Sequence, residues 1–384
     1  MALKIPTLIC LACMAGPLLA SSAAWAQDED FVPETITAKE RMDPGPYVFV
    51  NQMDTASTIH VYSADDMRVT GSFSGGSWGM FALSKDGQTG YIASGFYSRI
   101  AYGDVENVLQ IFDVATNRPV KEIILPAKIT QYTPSAAQLQ LSADEKYIYI
   151  QNATPATSVT VVDLEKGEVV QEIPSPGCYG IYPSLEGHAF STICSDGAFN
   201  TFTLSADGTD FESRKSEKIF DVDEDPIYLA FDRAEGDLLF ISYHANIYRL
   251  SDKDGVIEKL GVTPIAEGVE GNWGTAGYEV VSYNDANGIL FVPMAADHHD
   301  GSHYHGADEI WAYDLRNDKL LYRSPAEGIN SVHVTDDAVP TVFGLSVGDG
   351  VVVKYEVDPE AKFVLKKAGE NKSFGFATIV MSAP

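Results

Sequence analysis

The sequence predicts an all-β protein, a seven-bladed β-propeller that is closed by pairing of its C-terminal strand with the first blade. Three observations support this. A unit of about 50 residues recurs seven times, its strands are rich in Val, Ile, Tyr and Phe with alternating polarity, and no long segment has helical periodicity. A period of this length with about four short strands per unit is typical of propeller blades. A solenoid β-helix, the rival architecture, has much shorter repeats.

The first half of each unit is an apolar strand, preceded in most copies by a turn rich in Asp and Gly. These strands are Tyr47–Val50, Tyr91–Ala93, Tyr147–Ile150, Ala189–Cys194, Leu238–Ile241, Ile289–Val292 and Thr341–Leu345. The second half is a strand that ends in a polar turn, at Asp113, Asp163 and Asp314 for example. The spacing of these three aspartates corresponds to one period and then three more. Related strands begin near Ile59, Phe202, Ile247 and Val351, which brings the number of copies to seven.

The two ends of the repeat array predict how the ring closes. The first copy lacks its inner strand, whereas the C-terminal segment Phe374–Met381 is a spare strand that resembles Trp78–Leu83. Pairing the spare strand with the first blade removes two exposed sheet edges, which otherwise promote aggregation. We therefore assign residues 45–384 to the propeller.

The first 44 residues are predicted to lie outside the ring. Lys4, the apolar run Ile5–Ala20 and the small-x-small pattern Ala24–Ala26 are typical of a secretory signal peptide, here residues 1–26. An uncleaved membrane anchor is the alternative, and it is disfavoured by the short apolar run. Residues 27–44 are predicted to form an acidic, mobile N-terminal arm. The predicted location is the periplasm, without attachment to the membrane.

The formal net charge of −28 restricts the class of partner. A strongly acidic protein is repelled by nucleic acid and by anionic membrane surfaces, so neither is an expected partner. The same charge suits a highly soluble protein or one that docks a basic partner.

Two cysteines, Cys178 and Cys194, remain after the predicted cleavage. They lie on the two arms of a hairpin centred on Glu186, eight residues from the centre on either side, so they face each other directly. In an oxidising compartment such a pair is expected to form a structural disulfide. A redox-active pair is the alternative, but the Cys-x-x-Cys spacing of such pairs is missing.

A histidine-rich loop, Asp297–His305, is the most conspicuous candidate for metal binding. His298, His299, His303 and His305 are weak candidate ligands, because imidazole suits zinc and copper when the geometry converges. A polar interface or a solvated loop is the favoured interpretation. Elsewhere the sequence contains no Gly-x-Ser-x-Gly elbow, phosphate-binding glycine loop or His-Glu-x-x-His motif, so no catalytic residue is predicted.

Several segments resemble the heavy, non-quinone chain of methylamine and aromatic amine dehydrogenases. The matching segments are Tyr97–Gly103, Val108–Asp113, Gly177–Tyr179, Thr192–Gly197, Asp225–Ile227, Asn272–Trp273, Gly277–Tyr278 and Ala307–Trp311. They are spread over most of the mature chain and are specific as a set. Asn152–Ser158 and Glu309–Trp311 resemble the aromatic (aralkyl) amine branch more closely than the methylamine branch.

This resemblance implies a non-catalytic subunit of a periplasmic quinoprotein amine dehydrogenase, which converts primary amines to aldehyde and ammonia. It implies a seven-bladed fold, the Cys178–Cys194 disulfide and a tetramer of two heavy and two light chains. This chain would hold no cofactor: the light chain would carry tryptophan tryptophylquinone and the catalytic residues, and an azurin- or amicyanin-like cupredoxin would accept the electrons. Which amine and which copper protein are involved does not follow from the sequence.

Four residues are candidates for the substrate channel or the light-chain contact: Thr55, Ala56, Asn152 and His303. The methylamine branch places a Phe near the segment that aligns with Asp54–Ser57, and no aromatic residue stands there in this chain. That departure predicts a roomier channel. The alternative function is an autonomous periplasmic propeller, a hydrolase or a binding protein, with a metal ion bound in its channel.

Overall fold

Seven antiparallel blades surround a central channel in the computed structural model, which describes residues 39–126, 128–132 and 135–383. Each blade has four strand positions, from the channel to the rim. In the third and sixth blades two short strands share the innermost position, because both pair with the second strand. The helical elements of the described part are two 3₁₀ turns, Ala136–Gln138 and Ser302–Tyr304. The predicted fold class is confirmed.

The strands follow one another blade by blade. The first blade contains β1 (Tyr47–Met53), β2 (Thr58–Ser63) and β3 (Val69–Ser74), together with the last strand of the chain, β30 (Phe376–Ala383). The second contains β4 (Ser77–Leu83), β5 (Thr89–Arg99), β6 (Tyr102–Asp113) and β7 (Arg118–Leu125). The third contains β8 (Lys128–Ile129), β9 (Leu139–Leu141), β10 (Tyr147–Thr154), β11 (Ser158–Asp163) and β12 (Glu168–Pro174). The fourth contains β13 (Cys178–Pro183), β14 (Ala189–Cys194), β15 (Phe199–Leu204) and β16 (Phe211–Lys215).

The remaining three blades keep the same plan. The fifth contains β17 (Ile227–Ala234), β18 (Asp237–Ser242), β19 (Asn246–Ser251) and β20 (Glu258–Pro264). The sixth contains β21 (Gly274–Thr275), β22 (Ser282–Asn284), β23 (Ile289–Ala295), β24 (Ala307–Asp314) and β25 (Lys319–Ile329). The seventh contains β26 (Ser331–Val334), β27 (Thr341–Ser346), β28 (Val351–Asp358) and β29 (Val364–Lys372).

The hydrophobic core lies between neighbouring blades. The second strands are almost entirely buried, because both of their faces pack against another blade, and β18 and β23 are buried at every position. Aromatic rings fill the widening space between the blades. The ring of Tyr182 in the fourth blade lies 4.9 Å from the rings of both Phe231 and Phe240 in the fifth. Edge-to-face contacts of this kind add about 1 kcal/mol beyond the burial of their area.

The ring closes as the sequence predicts. β30 pairs antiparallel with β1, in a register that runs from Tyr47 opposite Ala383 to Met53 opposite Phe376. The strand begins two residues later than the predicted start at Phe374, because Phe374 and Gly375 both have positive φ and form the turn that leads into it. The C-terminal strand therefore occupies the inner position that the first repeat lacks.

The predicted signal peptide, residues 1–26, and the predicted arm up to residue 38 lie outside the described residues. The last part of the arm segment contacts the propeller, since the backbone N–H of Met42 donates to the carbonyl of Ala115 at 2.7 Å. The Met42 side chain also packs against the core between the first two blades. Among the described residues no helix is long and apolar enough to cross a membrane.

Candidate functional site

The two ends of the propeller differ in chemistry. The turns between the second and third strands and the links from one blade to the next share one end, which we call the bc face. Of seven exposed aromatic side chains in the described part, six lie on this face. They are Phe96, Tyr102, Tyr132, Tyr304, Phe374 and Phe376. Exposed aromatic groups concentrated at one end of a protein are typical of a surface that binds another protein.

The hairpin of the second blade projects from the bc face. Its strands β5 and β6 span 11 and 12 residues, whereas the corresponding strands of the other blades span six to eight. At about 3.3 Å per residue, the hairpin extends roughly 10 Å beyond its neighbours. Its tip is apolar, with Ile100 83% exposed and Tyr102 62% exposed. The guanidinium of Arg99 lies 5.6 Å from the centre of the Tyr102 ring.

A cavity of about 180 Å³ opens on the same face at the mouth of the central channel. Tyr228, Tyr278, His303 and Tyr304 line most of it. Its shape depends on Gly277, whose φ is +125° and whose Cβ, if present, would lie 2.1 Å from a backbone carbonyl oxygen. Only glycine fits there without strain, which explains the Gly that follows β21 at this position.

Deeper in the channel, a second cavity of about 170 Å³ is lined by three titratable groups from three blades. They are Asp232, Glu279 and His333. Burial raises the pKa of Glu279 to about 7, although the backbone N–H of Ala136 donates to its carboxylate at 2.8 Å. Burial likewise raises the pKa of Asp232 to about 7.

The pKa of His333, the third titratable group of the channel, is shifted in the opposite direction. Burial lowers the pKa of His333 to about 4, and its Nε2 lies 2.8 Å from the Oγ of Ser382. Burial therefore favours the uncharged form of all three groups in the channel.

The structure brings together only some of the residues predicted to line the substrate channel or to contact the light chain. Thr55 and Ala56 are exposed in the turn between β1 and β2 on the bc face, and His303 lines the cavity at the channel mouth on that face. Asn152 differs. It is 1% exposed, and its amide donates to the hydroxyls of Ser158 and Thr160 at 3.0 and 2.8 Å. The side chain of Asn152 is thus held by hydroxyl groups of its own blade, and its role at the light-chain contact stays a prediction.

The four imidazoles of the predicted loop point to different neighbours. His298 is buried and its Nε2 lies 3.1 Å from Nδ1 of His244 in the fifth blade. The Nδ1 of His299 lies 2.7 Å from the carbonyl oxygen of Asp297, His303 lines the cavity, and His305 is exposed. In the part of the chain that the structure describes, no three His, Cys, Asp or Glu side chains converge as a metal site.

The predicted disulfide is present. Cys178 on β13 and Cys194 on β14 are directly opposed in the antiparallel register, and their sulfurs are bonded. The bridge ties the inner strand of the fourth blade to its second strand, on the bc face. It lies away from the two cavities, which agrees with a structural role.

Sequence reasoning missed the channel groups and the pair formed by His244 and His298. Glu279 carried a readable signal, since it interrupts the apolar run Tyr278–Val281 on what is now the innermost part of a blade. Asp232 carried no such signal, because it lies in the segment Phe231–Gly236, whose composition is typical of a turn. The histidine pair had no local signal, because its members lie 54 residues apart.

Comparison with known proteins identifies the family. A family model of the methylamine dehydrogenase heavy chain matches residues 43–371. The methylamine dehydrogenase heavy chain of Methylobacillus flagellatus is 24% identical over 310 residues, which cover 79% of this chain and 75% of the relative. That of Methylorubrum extorquens is 27% identical over 314 residues, covering 79% and 74%.

Likeness to solved structures is broader and concerns the fold alone. A putative 6-phosphogluconolactonase from Bacteroides uniformis superposes with a TM-score of 0.62 at 12% identity, covering 90% of this chain and 100% of that one. At such identity a shared propeller carries no information about activity. The family model, in contrast, spans nearly the whole ring, from before β1 to residue 371, near the end of the seventh blade's outer strand β29. The chain belongs to the methylamine dehydrogenase heavy chain family.

Proposed function

We propose that this chain is the non-catalytic heavy subunit of a periplasmic quinoprotein amine dehydrogenase, which oxidatively deaminates primary amines to aldehyde and ammonia. The observation that carries the proposal is the family match over residues 43–371. The tryptophan tryptophylquinone of the light chain supplies the redox chemistry, and an azurin- or amicyanin-like cupredoxin takes up the electrons. Two heavy and two light chains form the complex, and this chain contributes no cofactor.

The light chain docks on the bc face. The exposed aromatic side chains support this surface, because the buried centres of stable interfaces are enriched in aromatic residues and depleted in charge. The projecting hairpin supports it as well, since an apolar tip such as Ile100 is costly to leave in water. On the opposite face the exposed large apolar side chains are isolated, as at Leu185 and Val339.

The role of this chain in the reaction is to bound the active site and to exclude water. Thr55 and Ala56 are exposed beside β1 and are small, so the substrate passage that they border is wide. Because aromatic rings such as Phe96 and Phe374 lie exposed on the same face, a large apolar amine finds favourable contacts there. These features support the aromatic-amine branch, although the curated relatives described above are methylamine dehydrogenase heavy chains.

The proposal is tested by purifying the chain from its native periplasm. We expect a small, multiply disulfide-bonded partner to co-purify, with a visible quinone absorbance that added amine bleaches. Comparing methylamine with 2-phenylethylamine under the same conditions distinguishes the two branches, and the larger amine is expected to react faster. A solitary chain without a chromophore would refute the heavy-subunit assignment. If it also retained one metal ion in the channel, it would favour the autonomous propeller.

A further inference from the structure

The pair formed by His244 and His298 has the spacing of two ligands on one metal ion. Nε2 of His298 and Nδ1 of His244 lie 3.1 Å apart. Two nitrogens bound at 2.0–2.1 Å to a tetrahedral zinc ion lie about 3.3 Å apart. The observed separation is that of a hydrogen bond between the two rings, and both rings would turn to face a shared ion. The two residues come from the bc turns of adjacent blades, and the shared ion would connect those blades.

Hydrogen bonds fix the position of His298, as they do for metal-binding histidines. Its backbone N–H donates to the carbonyl oxygen of Asn272 at 2.9 Å, and its own carbonyl accepts from the Asn272 amide. Gly274 leaves the room for the ring, because a Cβ there would lie 2.1 Å from Nδ1 of His298. The Oγ of Ser302 lies 3.4 Å from that same nitrogen. A metal-binding imidazole characteristically has such a partner on its second nitrogen.

The surrounding charge favours a cation. The carboxylate of Asp225 lies beside the pair and accepts the backbone N–H of His244 at 2.9 Å. His244 itself is exposed, so water reaches the open side of the site.

We propose that the imidazoles of His244 and His298 bind one divalent late transition metal ion, of the zinc class, with water completing its coordination. Imidazole nitrogen suits this class of ion, whereas calcium and magnesium prefer oxygen ligands. The proposal does not depend on the proposed function, because it rests only on side chains of this chain. It also differs from the sequence prediction, which placed the ligands within the single loop Asp297–His305.

Zinc titration of the purified full chain tests the site. We expect one Zn²⁺ per chain by calorimetry, with a rise in the unfolding temperature when zinc is added. His244→Ala, which changes an exposed side chain, is expected to weaken binding at least about tenfold. His298→Gln should do the same, and circular dichroism verifies that this variant folds.

His305→Ala is the matched control, because His305 is an exposed imidazole in the same loop as His298. Its zinc affinity should equal that of the wild type. Absence of zinc binding by the wild-type chain would overturn the proposal. So would binding that survives both His244→Ala and His298→Gln but is lost in His305→Ala, because the ion would then belong to the loop.

Discussion

Glu279 offers the sharpest test of the channel electrostatics. Its carboxyl group lines the inner cavity and accepts a hydrogen bond from the backbone N–H of Ala136. Replacing it by Gln preserves the shape of the side chain and the acceptor oxygen, and removes only the ability to ionise. The Glu279→Gln variant therefore isolates the free energy of placing a negative charge in the channel.

The size and sign of the effect follow from the pKa of Glu279. The ordinary value is 4.5, and burial raises it to about 7 in the folded chain. Below pH 4.5 both states are protonated, and the contribution of Glu279 to stability is fully present. Between pH 4.5 and 7 the unfolded state loses the proton first, so the free energy of unfolding falls as the pH rises. At 1.36 kcal/mol per pH unit the total loss is about 3 kcal/mol, an upper value because the cavity admits water.

Urea unfolding measured between pH 5 and pH 8 gives the comparison. The stability of Glu279→Gln should exceed that of the wild type by about 1 kcal/mol at pH 5 and by up to about 3 kcal/mol at pH 8. Asp232 and His333 titrate in both proteins, so the difference between the two curves reports Glu279. Glu186→Gln, in an exposed turn, is the control and should follow the wild type. Parallel curves for Glu279→Gln and wild type would refute the argument that burial raises this pKa.

Three further predictions concern the docking surface, the disulfide and the sixth blade. Ile100→Asp should weaken light-chain binding at least about tenfold in a pull-down titration, whereas Val339→Asp on the opposite face should leave it unchanged. Replacing Cys178 and Cys194 together by Ser should lower the free energy of unfolding by about 3 kcal/mol, because the bridge closes a short loop; an unchanged urea midpoint would contradict this. Arg323→Ala should cost about 2 kcal/mol in the same assay, because this side chain forms a bidentate ion pair and covers two tryptophan rings.

Local patterns were sufficient for the blades and for the disulfide. The strand repeats are visible because each blade needs its own alternating strands, and Cys178 meets Cys194 across a single hairpin. The channel was not predictable in the same way. Asp232, Glu279 and His333 come from three blades, and they meet only because the closed ring brings innermost strands together. The burial of Asn152 was not predictable either, because it depends on how β10 and β11 pair within the blade.

The two faces of the propeller differ in chemistry, and this difference explains why the blades were predictable from the sequence whereas other features were not. On the face opposite the bc face the same turn recurs, with a serine hydroxyl that donates to an aspartate two residues later. Ser84 donates to Asp86 at 2.6 Å, and Ser142 donates to Asp144 at 2.8 Å. Such turns shape the backbone locally, so they repeat with the blades and disclose the fold.

The bc face follows no such repeat. Its long hairpin ending at Ile100 and its histidine-rich loop each occur once, in different blades. Because the buried strands within each sheet hold the blades together, these turns are free to lengthen and diverge without weakening the blades. A segment that departs from the repeat is therefore not required by the fold, and its exposed apolar or metal-binding side chains call for a functional explanation. By this reasoning the departures from periodicity, rather than the periodicity itself, locate the surface on which this propeller acts.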